Sequence, residues 1–74
     1  LVDVKLVLKP AILQQASSIM LCHNHPSNNA TPSQADYELT AKIVSAASFL
    51  DIRVLDHLII CESGYYSFAD EGRL

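Results

Sequence analysis

CHNHPSNNATPSQAD, residues 22–36, sets His23 and His25 one residue apart and runs through a polar loop between Pro26 and Pro32. It reaches a lone acid, Asp36, eleven positions after the second histidine. The preceding run, Ile19-Met20-Leu21-Cys22, reads as a short buried strand, so the histidines stand at its tip. In extended backbone, side chains two apart share a face with Cα atoms roughly 6–7 Å apart, which lets two nitrogens converge on one ion. Pro26 biases His25 toward the same extended geometry. Residues 26–31 are a loop. Thr31-Pro32-Ser33-Gln34 then carries a helix-start signal, with Thr31 as N-cap, Pro32 at the first helical position and Gln34 three after the cap. Ser33 and Asp36, three apart, lie on one face of that helix.

Two imidazole nitrogens and one carboxylate oxygen, with a fourth position left for water, is the usual layout of a catalytic zinc site. Each residue also has a plain structural explanation. Half-buried polar histidines are common, an acid in the first turn is favoured by the helix dipole, and a serine near a helix start is ordinary. On residue chemistry alone the two readings stand level. His57, mid-strand between Asp56 and Leu58, reads as structural and hydrogen-bonded within the sheet. Cys22 alternates with His23 and so is expected to point into the core as a small apolar residue. Tyr65, Tyr66 and Phe68 suit a hairpin better than a base-stacking platform.

The flanks supply an α/β alternation. Val2, Val4, Leu6 and Leu8 alternate as in a strand. Val4, Val7, Leu8, Ala11, Ile12 and Ala16 instead fit helical spacing, with Asp3 as cap. The helix is preferred, over about 3–16, bent or restarted at Pro10. The second helix is expected to reach about Leu50 with a core stripe of Ala35, Leu39, Ile43, Ala46, Ala47 and Leu50. Arg53 to Cys61 reads as a strand, 62–64 as a turn and 65–68 as a returning strand. Seventy-four residues make one domain, of a size that buries only about 60% of its unfolded surface. Two cysteines without CxxC spacing point to a reduced, cytosolic setting. No basic-plus-apolar leader is visible, and no apolar run approaches the roughly 20 residues that span a bilayer. Net charge is −3, with five basic residues scattered along the chain. That leaves no clustered basic face with which this chain alone could hold a phosphate backbone.

The pattern H-x-H-P-x6-S-x2-D, formed by His23, His25, Pro26, Ser33 and Asp36, resembles the metal-binding motif of the JAB/MPN (JAMM) metalloprotease superfamily. HNHPS, TPSQAD and VLDHLII…GYYSF resemble more narrowly its RadC branch, bacterial proteins labelled DNA repair proteins, over essentially all 74 residues. The resemblance implies a cytidine-deaminase-like α/β fold, a mixed sheet with flanking helices, of which residues 1–74 form the C-terminal portion, the N-terminal part being missing. It implies His23, His25 and Asp36 as Zn2+ ligands and Ser33 as the group that steadies the oxyanion when a peptide or isopeptide carbonyl is attacked. Two departures stand out. The family's general-base glutamate lies upstream of the HxH element, where this chain has no match; Glu38 and Glu62 are substitutes by residue type only. The loop usually has Gly after HNHPS, where this chain has Asn28. A zinc hydrolase, a non-catalytic repair-associated binding module and a truncated remnant all stay open. A partial sheet also implies an exposed edge and apolar face, which a homo-oligomer would cover.

Overall fold

The computed structural model describes residues 3–26 and 28–74. Its elements are α1 (Val4–Leu13), β1 (Ser18–Asn24), α2 (Gln34–Phe49), β2 (Arg53–Cys61) and β3 (Gly64–Ser67). The sheet order is β1-β2-β3, with β1 and β2 parallel and β2 and β3 antiparallel. Parallel neighbours need a long crossover, and α2 provides it. This is a small α/β unit with a mixed three-stranded sheet and two helices. No helix among the described residues is long and apolar enough to cross a membrane.

Asp3 caps α1 as expected, its carboxylate accepting from the Lys5 N–H at 2.9 Å. Pro10 sits inside the helix without dividing it. The helix stops at Leu13, short of the expected 16, because Gln15 takes a positive φ of 54° and the chain reverses. The Ala16 N–H then bonds the Ala11 carbonyl and the Gln15 N–H the Ile12 carbonyl, the paired bonds of a Schellman stop. α2 ends in the same way. Asp51 has φ 57°, Ile52 donates to the Ala47 carbonyl and Asp51 to Ser48.

The start of α2 corrects the expected cap. Ser33, not Thr31, is the N-cap, and Pro32 lies buried just outside the helix. Two cap signals overlap in TPSQAD. The later one wins because Asp36 falls three residues after Ser33 and completes a reciprocal capping box, whereas Gln34 closes none. The core stripe is corrected too. Thr40, Ile43 and Ala47 are buried, Leu39 and Ala46 half-buried, and Ala35 and Leu50 exposed.

Leu8 and Ala11 of α1 meet Ile43, Ala47 and Ile52 in one apolar cluster, against which Ile19, Leu21 and Val54 of the sheet pack. Inward and outward residues alternate along β1 in the order exposed–intermediate from Ser18 to Asn24, so one sheet face is covered and the other open. This places Cys22 opposite to expectation. It does alternate with His23, but the histidine face is the covered one, and Cys22 is exposed. Met20, Leu55, Ile60 and Tyr65 are likewise exposed, at 59, 45, 38 and 64%.

Candidate metal centre

β1 extends past Cys22 to include His23, and the His25 N–H continues the ladder by donating to the Ile60 carbonyl at 3.0 Å. Both rings therefore leave the carboxyl end of a parallel strand, where open α/β sheets place their ligands. Their centroids are 5.1 Å apart. The first turn of α2 brings Asp36 up to them. His25 Nε2 lies 3.2 Å from Asp36 Oδ2, and His23 Nε2 lies 3.6 Å from Oδ1. One ligand atom from each of the three falls within 4.8 Å of the others. Their side chains keep 31, 19 and 16% of their surface for His23, His25 and Asp36, so the cluster is shielded yet reachable from solvent.

Hydrogen bonds fix the direction of each lone pair. The Thr40 hydroxyl donates its one proton to the Asp36 carbonyl at 2.8 Å, since a carbonyl can only accept. Its oxygen must then accept from His57 Nδ1–H at 2.6 Å. A neutral His57 so protonated has Nε2 free to accept from His23 Nδ1–H at 2.8 Å. His25 Nδ1 meets the Asn29 carbonyl at 3.1 Å and so also carries its proton. With each Nδ1 so engaged, each Nε2 is turned toward the carboxylate, and a cation placed among the three groups would be shared by all of them.

The spacing suits zinc. Ligand atoms about 2.0–2.1 Å from a tetrahedral ion are roughly 3.3–3.5 Å apart, near the 3.2 and 3.6 Å that separate His25 and His23 from the two different Asp36 oxygens. Burial alone would raise the Asp36 carboxyl. Hydrogen bonds from the Ser33 backbone and side chain, together with the two imidazoles, outweigh it and hold the group below the ordinary carboxylate range. Asp36 is thereby kept ionised. For His57, burial is the largest influence, followed by the neighbouring His23; Asp36 and Asp56 oppose them, and the net effect pushes it below the usual imidazole range.

Residues 1–73 of the 74 match a family model described as RadC-like JAB domain. The chain belongs to that family. The RadC-like JAB domain is 54% identical over 72 residues to a "UPF0758 protein" of Flavobacterium johnsoniae, a match covering 97% of this chain and 31% of that protein. It is 49% identical over 73 residues to one of Porphyromonas gingivalis, covering 97 and 32% of the two. For one of Pseudoalteromonas atlantica the identity is 48% over 68 residues, covering 92 and 30%. The chain thus spans about a third of the length of these curated relatives, and its mixed sheet with two helices is consistent with a partial JAB/MPN fold.

Within this RadC-like JAB domain, Ser33 sits one turn before Asp36 and bonds to it twice. Its N–H donates to Asp36 Oδ2 at 2.7 Å, and its Oγ accepts from the Asp36 N–H at 3.2 Å. Asn28, where the resemblance implied Gly, accepts the Ser63 N–H at 2.9 Å and ties the histidine loop to the β2–β3 turn. Glu38 is exposed and lines a groove with Ala35, Leu39 and Lys42 along α2. Glu62 lines a different groove on the open sheet face, with Ile60 and Tyr65. Neither acid belongs to the His23–His25–Asp36 cluster. His57 and Thr40 are the residues the sequence reading missed. His57 bonds within the sheet as expected, to His23 of the neighbouring β1, and also reaches out of it to Thr40 of α2. The HxHP…D spacing carries no trace of it; an imidazole on the same strand face as the histidine pair was the available signal.

Proposed function

We propose that this RadC-like JAB domain is the metal-holding part of a zinc hydrolase acting on an amide or isopeptide bond. The observation that carries this reading is the convergence of two imidazole Nε2 atoms and one carboxylate, with Nε2 to carboxylate separations of 3.2 and 3.6 Å and each Nδ1 engaged elsewhere. His23, His25 and Asp36 would hold the ion, whose contribution is Lewis acidity toward a carbonyl and a lowered pKa for water. The chain's own side chains supply orientation. The capping box fixes Asp36, the Asn29 carbonyl fixes His25, and the Ser33 hydroxyl, whose oxygen is engaged by Asp36 N–H, keeps a proton to donate as negative charge develops on a carbonyl oxygen. A group must also take a proton and return it to the leaving amine. With Glu38 and Glu62 on other faces, the proposal assigns that role to the remainder of a protein of the relatives' length. Two free cysteines and no disulfide among the described residues fit a cytoplasmic setting.

The same gap favours a second reading, a repair-associated binding module that holds metal without turning substrate over. Its net charge of −3 argues against direct nucleic-acid binding. An isopeptide-cleavage assay on the full-length protein, with and without chelator and with Asp36→Ala as control, separates the two. Chelator-sensitive cleavage lost in the variant supports the hydrolase; a metal-loaded protein that cleaves nothing supports the module.

We also propose that the isolated chain self-associates through its open sheet face. Met20, Leu55, Ile60 and Tyr65 are exposed there, and among the described residues β1 has a free edge. Both features favour strand pairing or apolar packing with a second copy. A stable monomer in sedimentation at micromolar concentration would remove this idea.

A further inference from the structure

His57 is 3% exposed and buried without a charge partner of its own, a position that an apolar side chain would fill at lower desolvation cost. Yet both of its nitrogens are bonded, and the bonds lead somewhere specific. The chain of contacts begins at the backbone carbonyl of Asp36. It passes through the Thr40 hydroxyl at 2.8 Å and His57 Nδ1 at 2.6 Å, and ends with His57 Nε2 against His23 Nδ1 at 2.8 Å. It therefore joins the main chain of one candidate ligand to the ring of another. Every link has one consistent donor, because the carbonyl at its start can only accept.

The ring of His57 is also held in plane. Phe68, fully buried, stacks on it with centroids 4.7 Å apart and 6° between planes. Tyr66 and Tyr37 pack edge-on against Phe68 at 5.1 and 5.5 Å. The Phe68 N–H donates to the His57 carbonyl at 3.1 Å. Asp56 accepts from the His57 and Ala69 N–H groups at 2.7 and 3.0 Å and from the Ser67 hydroxyl at 2.6 Å. β2, β3 and the turn after β3 are thus fastened around one imidazole.

We propose that Thr40 and His57 are positioning residues for the candidate metal centre: their hydrogen-bonded chain fixes the His23 tautomer and ring plane so that Nε2, not Nδ1, is presented as the donor. The proposal rests on the metal reading above, but the tautomer it specifies exists without metal. A ring that is pre-set loses less freedom on binding an ion, and a bonded Nδ1–H makes Nε2 a better donor. Breaking such outer partners typically lowers metal affinity about 10- to 100-fold.

The test uses the 74-residue chain, its Thr40→Val, Thr40→Ser, His57→Gln and His57→Phe variants, and two readouts. The first is nitrogen-15 NMR of the histidine rings in metal-free protein under mildly alkaline conditions, which distinguishes the protonated from the bare nitrogen. The second is zinc affinity by competition with a chromophoric chelator. The parent should show His23 as the Nδ1–H tautomer. Thr40→Val and His57→Phe should scramble it and weaken zinc about 10- to 100-fold, while Thr40→Ser, which keeps the hydroxyl, should match the parent. His57→Gln, whose carbonyl can accept from His23, should retain most of the affinity and stands in should the Phe variant not fold. An Nε2–H tautomer at His23 in the parent, or parent-like tautomer and affinity in folded Thr40→Val, overturns the proposal. A parent that shows the Nδ1–H tautomer but takes up no zinc defeats the metal reading and leaves the His23 tautomer to decide the relay by itself.

Discussion

Ser33 and Asp36 hold each other by two reciprocal hydrogen bonds, Ser33 N–H to Asp36 Oδ2 at 2.7 Å and Asp36 N–H to Ser33 Oγ at 3.2 Å. One side chain thus both starts a helix and faces two imidazoles. Ser33→Ala removes the cap and should destabilise the chain by about 1 kcal/mol, measured by urea unfolding. Asp36→Asn keeps an oxygen that can accept from Ser33 N–H, so it should cost less stability than Asp36→Ala while losing zinc affinity as fully. Equal stability of the Asn and Ala variants would show that the box contributes nothing.

Stability of the metal-free chain should decline in two stages on acidification. Burial first, then the neighbouring His23, lowers the His57 pKa in the folded state. The unfolded chain therefore takes up this proton first, and stability begins to fall near the unfolded value of about 6.5 and continues down to the lowered folded one. For Asp56, burial opposes but hydrogen bonds from Ser67, Ala69 and His57 prevail and lower the carboxyl. Asp36 is lowered as well. Their contribution is present above the unfolded value of about 3.9 and lost as pH falls through the lowered native values. Denaturant unfolding across pH should show both stages. His57→Gln should erase the upper one, and Asp56→Asn should flatten the lower.

Asn28 bridges two loops 35 positions apart, its side chain accepting the Ser63 N–H at 2.9 Å. Asn28→Gly should cost about 0.5–1.5 kcal/mol, the net worth of one such bond, and Asn28→Asp should retain it. Amide exchange at Ser63 is the direct readout: faster in the Gly variant and unchanged in the Asp variant.

Cys22 stands on the open sheet face, so a water-soluble disulfide reagent should label it rapidly without denaturant. If that face is covered by a second copy, labelling should slow as protein concentration rises. Concentration-independent labelling would argue for a free face.

How much was visible in the sequence follows from how local each signal is. β2 was legible from Arg53 to Cys61 because β-rich composition runs unbroken between turn residues. The convergence of His23, His25 and Asp36 was legible because a strand tip and the next helix start are neighbours in any such crossover. The end of α2 was legible too, at about Leu50, but the end of α1 was not: the chain reverses at Gln15 with a positive φ, where glycine would have marked the stop. Cys22 shows a different limit. Alternation correctly separated it from His23, but alternation does not say which face the helices cover. The Thr40–His57 pair was out of reach because its members lie 17 positions apart and meet only when α2 packs on β2.

The central claim is that a strand tip and a helix start together form one zinc site. X-ray absorption at the zinc edge on the chain with one equivalent of zinc tests it most directly. The account predicts four light-atom neighbours at about 2.0–2.2 Å, two of them with the multiple-scattering signature of imidazole, and a weaker signature in either His23→Ala or His25→Ala. A first shell containing sulfur from Cys22 or Cys61, or one of water oxygens alone, would contradict it.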